Sequence, residues 1–259
     1  MANLALITGA SSGIGAAFAK YHASKGGDLI LVARREDRLK TLAAELEAAH
    51  GIKAYIYAMD LGGAANAKAL YDAVKQDGHA INILINNAGF GGHGAHLDRD
   101  LDDEIAMIDL NVDALVALSH QFGRDMVARG SGKMLQVGST AGMMPGPNQA
   151  VYFATKHFVK AFSQALDHEM RPKGVTSTVL APGLVHTEFV EVANLGRTGL
   201  AKQKGRSAEF TAKVGYDAMM AGKLHVANEG ALSFMTNWII PLLPRRMVLN
   251  MVHGMQTTQ

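Results

Sequence analysis

The segment at residues 4–15, with the sequence LALITGASSGIG, decides the fold of this chain. Its first four residues form a short apolar run, which is typical of a strand buried on both faces of a parallel sheet. A glycine-rich turn with the spacing G-x-x-x-G-x-G follows, and then a helical pattern over residues 16–25. Such a turn offers free backbone N–H groups and the positive end of a helix dipole to an anion. We therefore predict a phosphate-binding turn, and its position between a strand and a helix favours a dinucleotide as the ligand.

The same alternation of strand and helix continues along the chain. Between residues 4 and 90 it is strict, which predicts an α/β fold with a doubly wound parallel sheet. We expect one Rossmann-type domain with seven strands over residues 1–259: a cofactor-binding and catalytic core at 1–183, a substrate lid at 184–210 and a C-terminal part at 211–259. Strands are predicted at 4–7, 29–33, 53–58, 81–85, 134–137, 175–180 and 230–235. The main helices are predicted at 16–25, 36–50, 64–76, 100–129, 148–170 and 207–222.

Composition narrows the class of protein. The chain has 259 residues, of which 48% are hydrophobic and 19% charged, a normal globular mixture. The net charge of +2 gives no sign of a nucleic-acid partner, and the absence of cysteine excludes disulfides and thiolate chemistry. The N-terminus lacks the pattern of a signal peptide, and no apolar run reaches membrane-spanning length. We therefore expect a cytoplasmic protein, and because His93 and His96 have no partners at ligand spacing, no metal site.

A second segment, STAGMMPGPNQAVYFATK at residues 139–156, indicates the chemistry. Its Pro-Gly-Pro run at 145–147 excludes a helix, so Ser139 ends the preceding strand while Tyr152 and Lys156 lie on the following helix. At positions i and i+4, Tyr152 and Lys156 project from the same face. A neighbouring ammonium group favours the phenolate and lowers the pKa of a tyrosine, which suits a general acid or base. Such a pair also arises by chance on helices, so the rest of the chain must support it.

The end of the second predicted strand indicates the cofactor. In dinucleotide folds an acid about 20 residues after the glycine turn binds the ribose 2′-hydroxyl, whereas an arginine there accommodates a 2′-phosphate. Here the strand ends in Arg34 and Arg35, with no acid before Glu36. We therefore predict NADP(H) in preference to NAD(H). A solvated arginine pair at the start of the next helix is the alternative.

Taken together, these motifs resemble the short-chain dehydrogenase/reductase family over roughly residues 3–190. The matching features are the TGxxxGxG turn at 8–15, Asp60, NNAG at 86–89, Asn111, Ser139, YxxxK at 152–156, and Pro182-Gly183 with Thr187 beyond. Each motif is weak alone, but their order and spacing together are specific, and no catalytic position departs from the family pattern. The resemblance implies hydride transfer between an alcohol and a carbonyl group, with a nicotinamide cofactor.

The family pattern also assigns roles to residues of this sequence. Tyr152 would be the general acid or base, Ser139 would orient the substrate oxygen, and Lys156 would lower the pKa of Tyr152 and hold the nicotinamide ribose. Asn111 would support a water that links Lys156 to solvent. The implied cofactor contacts are Thr8, Gly9, Ser11, Ser12, Gly13, Ile14, Gly15, Arg34, Arg35, Asp60, Leu61, Asn87, Ala88, Gly89, Tyr152, Lys156, Pro182, Gly183, Val185 and Thr187.

The substrate is less sharply indicated. Met143, Met144, Phe189 and Val190 are expected near the pocket, which favours a bulky or aromatic ketone because methionine adapts to irregular apolar shapes. A 3-oxoacyl-thioester reductase of lipid metabolism and a non-catalytic NADP-binding sensor or interaction protein are the alternatives. Residues 184–206 are expected to form a mobile lid with Gly196, Gly199 and Gly205 as hinges.

The resemblance further implies a homodimer or homotetramer built through helices near 100–129 and 148–170. For the apolar tail at 238–251 we favour packing in the core or between subunits over binding at a membrane surface, because membrane-surface helices usually carry more lysine and arginine.

Overall fold

The structure, a computed structural model, describes residues 3–196, 198–199, 204–230 and 234–257. Seven parallel strands form one sheet in the order β3-β2-β1-β4-β5-β6-β7. The strands are β1 (Ala5–Thr8), β2 (Leu29–Ala33), β3 (Ala54–Ala58), β4 (Ile83–Asn86), β5 (Gly132–Val137), β6 (Val175–Ala181) and β7 (His225–Ala227). The predicted doubly wound α/β architecture is thus confirmed.

The helices cover both faces of this sheet. They are α1 (Gly13–Ala23), α2 (Glu36–His50), α3 (Ala64–Gln76), α4 (Leu101–Ile108), α5 (Leu115–Arg129), α6 (Ala150–Met170), α7 (Glu188–Val192), α8 (Ala208–Met220) and α9 (Arg245–Gln256). One face of the sheet packs against α1, α2 and α8, and the other against α3, α5 and α6. Strands β1, β2 and β4 are fully buried, which explains their continuous apolar sequences.

Helices α2 and α3 have the predicted bounds. Gly51 ends α2 in the left-handed conformation at φ +66°, a geometry that glycine adopts without strain. The first helix begins at Gly13, three residues before the predicted start, because the glycine-rich turn itself enters the helix.

The predicted long helical segment at 100–129 is confirmed, and the sequence did not show that α4 and α5 are joined by a π-helical segment, Asp109–Ala114. The prediction of the seventh strand is wrong. The seventh strand is His225–Ala227, not 230–235; Met235 lies in a π-helical segment, Met235–Ile239, and residues 231–233 lie outside the described ranges. The sequence ALSFM at 231–235 is apolar enough to suggest a strand, but the true edge strand needs only three residues to pair with β6.

The C-terminal part packs against the body of the protein. Ile240, Val248 and Val252 are buried in an apolar cluster with Tyr152 and Phe153 of α6, in agreement with the expected packing of the tail. Trp238 and Leu242 of the same segment are exposed. Within the described part of the chain, no helix is long and apolar enough to span a bilayer.

Candidate active site

A cleft of about 890 Å³ runs along the carboxyl edge of the sheet. It begins beyond β2, passes the turns after β1 and β4, and ends beside the residues that follow β5 and β6. Three strand spacings separate β2 from β5 in the sheet, or about 14 Å at the usual spacing of parallel strands. The order in which strands are added to the sheet reverses between β1 and β4, and ligands bind at such a point in open α/β sheets.

The turn after β1 is built for close approach. Gly9 and Gly13 have φ values of +67° and +54°, which disfavour any other residue. A Cβ atom on Gly15 would lie 2.1 Å from the carbonyl oxygen of Gly9, so no side chain fits there. The backbone N–H groups at the start of α1 therefore face the cleft unobstructed, as a pyrophosphate cradle requires.

Thr8 fixes this turn to the turn after β4. Its Oγ1 accepts hydrogen bonds from the N–H groups of Asn87 (3.0 Å) and Ala88 (2.9 Å). The Nδ2 of Asn87 in turn donates to the carbonyl oxygen of Thr8 at 2.9 Å. These hydrogen bonds between Thr8 and residues Asn87 and Ala88 lock two turns of the cleft together.

Asn86 belongs to a network that the sequence did not indicate. Its Nδ2 donates to Ser119 Oγ and Gln136 Oε1, both at 3.0 Å, and Gln136 Nε2 donates to Ser119 Oγ at 3.1 Å. All three side chains are buried between β4, β5 and α5. They hold β4 and β5 in register beneath the cleft. The sequence signal that could have revealed this network is the presence of polar residues at buried positions of β4, β5 and α5.

The catalytic candidates meet at the far end of the cleft. Ser139, Tyr152 and Lys156 all line it, and the last two are 8% and 6% exposed. Lys156 Nζ donates to the carbonyl oxygen of Val137 at 2.9 Å and lies 5.8 Å from the centre of the Tyr152 ring. Ser139 Oγ accepts from the N–H of Ala141 at 3.1 Å, which fixes the hydroxyl group.

The protonation of this cluster differs from the prediction. Burial raises the pKa of Tyr152 to about 12, an effect that a hydrogen bond with Ser139 partly offsets. Burial also lowers the pKa of Lys156 to about 8. The predicted lowering of the Tyr152 pKa by Lys156 is therefore not observed, because desolvation disfavours the charged form of each group.

Asn111 lies behind this cluster and does not line the cleft. It is buried in the π-helical segment, where its Oδ1 accepts from the N–H of Phe90 at 3.1 Å. Its Nδ2 donates to the carbonyl oxygen of Phe90 at 2.9 Å and to Thr155 Oγ1 at 3.2 Å. Asn111 thus joins the loop after β4 to α6, and π-helical insertions of this kind are frequent at functional sites.

The remaining predicted site residues divide clearly. Those that line the cleft are Gly9, Ser11, Ser12, Gly13, Ile14, Arg34, Arg35, Asp60, Leu61, Asn87, Ala88, Gly89, Pro182, Gly183, Val185, Thr187, Met144 and Phe189. Thr8 and Gly15 support the turns from behind. Met143 and Val190 do not line the cleft, contrary to expectation; Met143 is buried with its sulfur 2.8 Å from Lys160 Nζ. In the described ranges no cluster of residues could hold a metal ion.

The predicted lid contains one short helix. Thr187 caps α7 by accepting a hydrogen bond from the N–H of Phe189 at 3.3 Å, and its side chain would contact a Cβ on Gly13. Val185 pairs with Arg206 in a parallel bridge, which joins the two ends of the lid. Arg197 and Lys202, the two basic residues between Gly196 and Lys204, lie outside the described residues.

Comparison with known proteins agrees with this geometry. The short chain dehydrogenase family model matches residues 3–197. Sulfoacetaldehyde reductase 2 of Chromohalobacter salexigens is 36% identical over 201 residues, which are 77% of each chain. The fold matches a short-chain dehydrogenase from Sphingobium yanoikuyae, solved with NADPH, with a TM-score of 0.82 and 29% identity over 93% of this chain and 96% of that one. It also matches the bulky-bulky ketone specific alcohol dehydrogenase from Comamonas testosteroni, with a TM-score of 0.78 and 25% identity over 94% and 95%.

The order of motifs, the sheet and the matched family model lead to one conclusion. This chain belongs to the short-chain dehydrogenase/reductase family. It is an oxidoreductase of that family's dehydrogenase type.

Proposed function

We propose that the protein uses NADP(H) to interconvert a bulky ketone and its secondary alcohol. One observation carries the proposal: a single cleft joins an arginine pair at one end to half-buried Ser139 and buried Tyr152 and Lys156 at the other. The cofactor, when bound, would supply or accept the hydride. The protein's own residues would supply position and a proton.

Tyr152 is suited to donate that proton during ketone reduction. With a pKa of about 12, its hydroxyl group stays protonated near neutral pH. It would transfer the proton to the substrate oxygen as negative charge develops there, while Ser139 holds the same oxygen. Lys156, with a pKa of about 8, is mostly an ammonium ion at neutral pH and stabilises the phenolate that remains.

The walls around Tyr152 favour an uncharged, apolar substrate. Phe189 lies with its ring centre 5.5 Å from that of Tyr152. The other apolar side chains that line this end are Phe90, Met144, Phe153, Leu184, Val192, Leu195, Val252 and Met255. Among the described residues that line the cleft, the lysines and arginines are Arg34, Arg35 and Lys156, so a small anionic substrate would find only Lys156 near Tyr152.

Two assays test this proposal. Purified protein is mixed with NADPH or NADH and a panel of aryl ketones, aliphatic ketones, 3-oxoacyl thioesters and sugars, and the loss of reduced cofactor is followed. We expect turnover with NADPH on bulky ketones. Turnover confined to acyl thioesters would show that the substrate is an acyl thioester and not a bulky ketone. Binding of NADPH without turnover on any class would favour a non-catalytic sensor.

The arginine pair tests the cofactor preference separately. The double variant Arg34→Ala/Arg35→Ala should weaken the binding of NADPH by at least about 10- to 100-fold, since even a single charge-assisted hydrogen bond contributes about 1.5–3 kcal/mol. The affinity for NADH should fall far less. Equal losses for the two cofactors would show that these arginines do not contact the 2′-phosphate.

We also propose that the chain forms a homodimer or homotetramer. On α6, Phe158 is 40% exposed and stacks on Phe162 at 5.6 Å, and on α4 Leu101 and Ile105 are exposed as well. These faces belong to the two segments that the family resemblance indicates. Light scattering should give a dimer or tetramer, and Phe158→Lys should shift it towards the monomer; a monomeric wild type would contradict the proposal.

A further inference from the structure

Glu188 binds the arginine that we assign to the 2′-phosphate. It is the first residue of α7, and its Oε2 accepts a hydrogen bond from Arg35 Nη2 at 2.8 Å. Its Oε1 accepts another from Arg38 Nη1 at 2.5 Å. The same Arg35 Nη2 also lies within hydrogen-bond distance of Ser11 Oγ (3.2 Å) and Ser12 Oγ (3.0 Å).

Glu188 therefore sits at the entrance of the glycine-rich turn, with one carboxylate oxygen on each arginine. Hydrogen bonds from Arg35 and then Arg38 lower the pKa of its carboxyl group to about 2. The group is thus fully ionised at any pH at which the enzyme would work. Glu188 lines the cleft together with Arg34, Arg35 and both serines.

A 2′-phosphate at this end of the cleft would meet Glu188. A phosphate monoester carries about −1.5 to −2 charges near pH 7, and like charges at one site repel. Arg35 already directs Nη2 towards two hydroxyl groups and a carboxylate. Because Nη2 carries only two N–H groups, a phosphate oxygen that binds it competes with Glu188 and the serines for the same donors, and the two anions repel each other.

We propose that Glu188 is a specificity-determining residue, an internal anion that competes with the 2′-phosphate of NADP(H) for Arg35. The proposal rests on the NADP(H) preference proposed above and explains how that preference is limited. A cofactor with a free 2′-hydroxyl group brings no competing charge and leaves the pair in place. Glu188 thus lowers the affinity for NADP(H) selectively and reduces the difference in affinity between NADP(H) and NAD(H).

Phe189, the residue after Glu188, shows how a purely structural role of Glu188 would differ from competition for Arg35. Phe189 follows Glu188 in α7 and contacts the Tyr152 ring, so loss of the Glu188 ion pairs could also shift the substrate wall. That shift would change the KM for substrate by the same factor with either cofactor. Competition for Arg35 changes the ratio of the two cofactor affinities instead.

The test measures cofactor affinity in the absence of substrate. Dissociation constants of NADPH, NADH, 2′,5′-ADP and 5′-ADP are determined by calorimetry for the wild type, Glu188→Gln and Glu191→Gln. Glu191 is the matched control, since it lies in the same helix, is exposed and forms no ion pair with any described residue. Glutamine keeps the size of glutamate, removes its charge and leaves one acceptor oxygen in place of two.

We expect Glu188→Gln to lower the dissociation constants of NADPH and 2′,5′-ADP about three- to tenfold, the range that two exposed ion pairs can contribute. NADH and 5′-ADP should change by less than about twofold, as should all four ligands with Glu191→Gln. The gain should shrink in high salt, because these side chains are about 40% exposed and salt screens them.

Failure of this inference differs from failure of the proposed function. If the wild type prefers NADPH but Glu188→Gln leaves its affinity unchanged or lowers it, Glu188 does not compete and the inference is wrong. If NADPH and NADH both tighten equally, Glu188 acts through the shape of α7 and the inference is again wrong. If the wild type binds NADPH no better than NADH and 2′,5′-ADP no better than 5′-ADP, the proposed cofactor preference itself fails.

Discussion

The glycine-rich turn and the C-terminal region tolerate change to very different degrees. A side chain on Gly15 would meet the backbone of Gly9 at 2.1 Å, and one on Gly142 would meet the carbonyl oxygen of Lys156 at 2.4 Å. Around Gly196 in the lid and Gly254 in α9, no atom lies within 4 Å of such a Cβ. Backbone therefore packs on backbone at Gly15 and Gly142, whereas Gly196 and Gly254 border open space.

This difference separates the residues that we assign to catalysis from those that we expect to select the substrate. The turns after β1, β4 and β5 are fixed by buried hydrogen bonds of Thr8, Asn111 and Lys156. The region beyond β6 instead presents apolar side chains to the cleft and exposes others, such as Trp238 and Leu242. We infer that the first region defines the reaction and that the second can change its substrate without disturbing it.

Tyr152→Phe should give the largest effect. The variant loses the hydroxyl group to which we assign proton transfer, so kcat should fall by about 10²- to 10⁴-fold, the usual contribution of general acid–base catalysis. NADPH affinity and the thermal unfolding midpoint should stay close to wild type. Steady-state kinetics and calorimetry measure the two quantities, and a variant with substantial residual turnover would show that another group moves the proton.

The sequence predicted most of the first region and little of the second. Helices α2 and α3 were placed correctly, since local glycines and apolar spacing define their ends. The π-helical turn around Asn111 was not predicted, because it depends on contacts with Phe90 and Thr155 that are distant in sequence. Glu188 was missed for the same reason: it lies 153 residues after its partner Arg35.

The tail shows a second limit of sequence patterns. An apolar run such as 231–235 fits a buried strand or a helix equally well, and only pairing with β6 identifies His225–Ala227 as the strand. That Ser139, Tyr152 and Lys156 meet in one cleft could be predicted, because their types and spacing recur together. Their pKa values could not, because burial of Tyr152 and Lys156 depends on the whole cluster around them.

Gly15→Ala tests the rigidity of the first region directly. The new methyl group would overlap the carbonyl oxygen of Gly9, so either α1 or the turn must move. We expect a loss of about 1–3 kcal/mol in the free energy of unfolding, as for other overpacked sites, together with weaker cofactor binding. Urea unfolding measures the stability change.

The matched control is Gly196→Ala in the lid, whose Cβ would meet no atom and whose φ is not positive. It should change the free energy of unfolding by less than about 0.5 kcal/mol, as surface substitutions usually do. If both variants lose the same stability, the contrast between the two regions is wrong.

His22 allows a smaller test, at the contact between α1 and α8. Its side chain is buried, with Nδ1 2.8 Å from Tyr216 Oη and Nε2 2.8 Å from the carbonyl oxygen of Asn3. Burial lowers its pKa from the ordinary 6.5, an effect that Asn3 and Asp28 partly offset. Below pH 6.5 the unfolded chain therefore binds a proton that the folded chain does not, and stability falls as the pH decreases.

One group of this kind changes the free energy of unfolding by at most about 1.4 kcal/mol per pH unit. Urea midpoints of the wild type and His22→Gln should therefore diverge between about pH 7 and about pH 5, with the variant losing less stability on acidification. His168→Gln, at an exposed position of α6, should follow the wild type. If His22→Gln loses as much stability as the wild type, other groups must cause the acid sensitivity.

Gly254→Ala should have the smallest effect and the opposite sign. The residue lies in α9, and its added methyl group would meet no atom. Because glycine is about 0.8–1.0 kcal/mol less favourable than alanine in a helix interior, and Gly254 lies near the helix end, we expect a gain of about 0.5 kcal/mol in the free energy of unfolding. Turnover should not change, because Gly254 does not line the cleft and the new methyl group would contact no atom. A loss of stability or of turnover would mean that α9 packs more tightly against the protein than the open space around Gly254 indicates, and the C-terminal region would then share the rigidity of the glycine-rich turn.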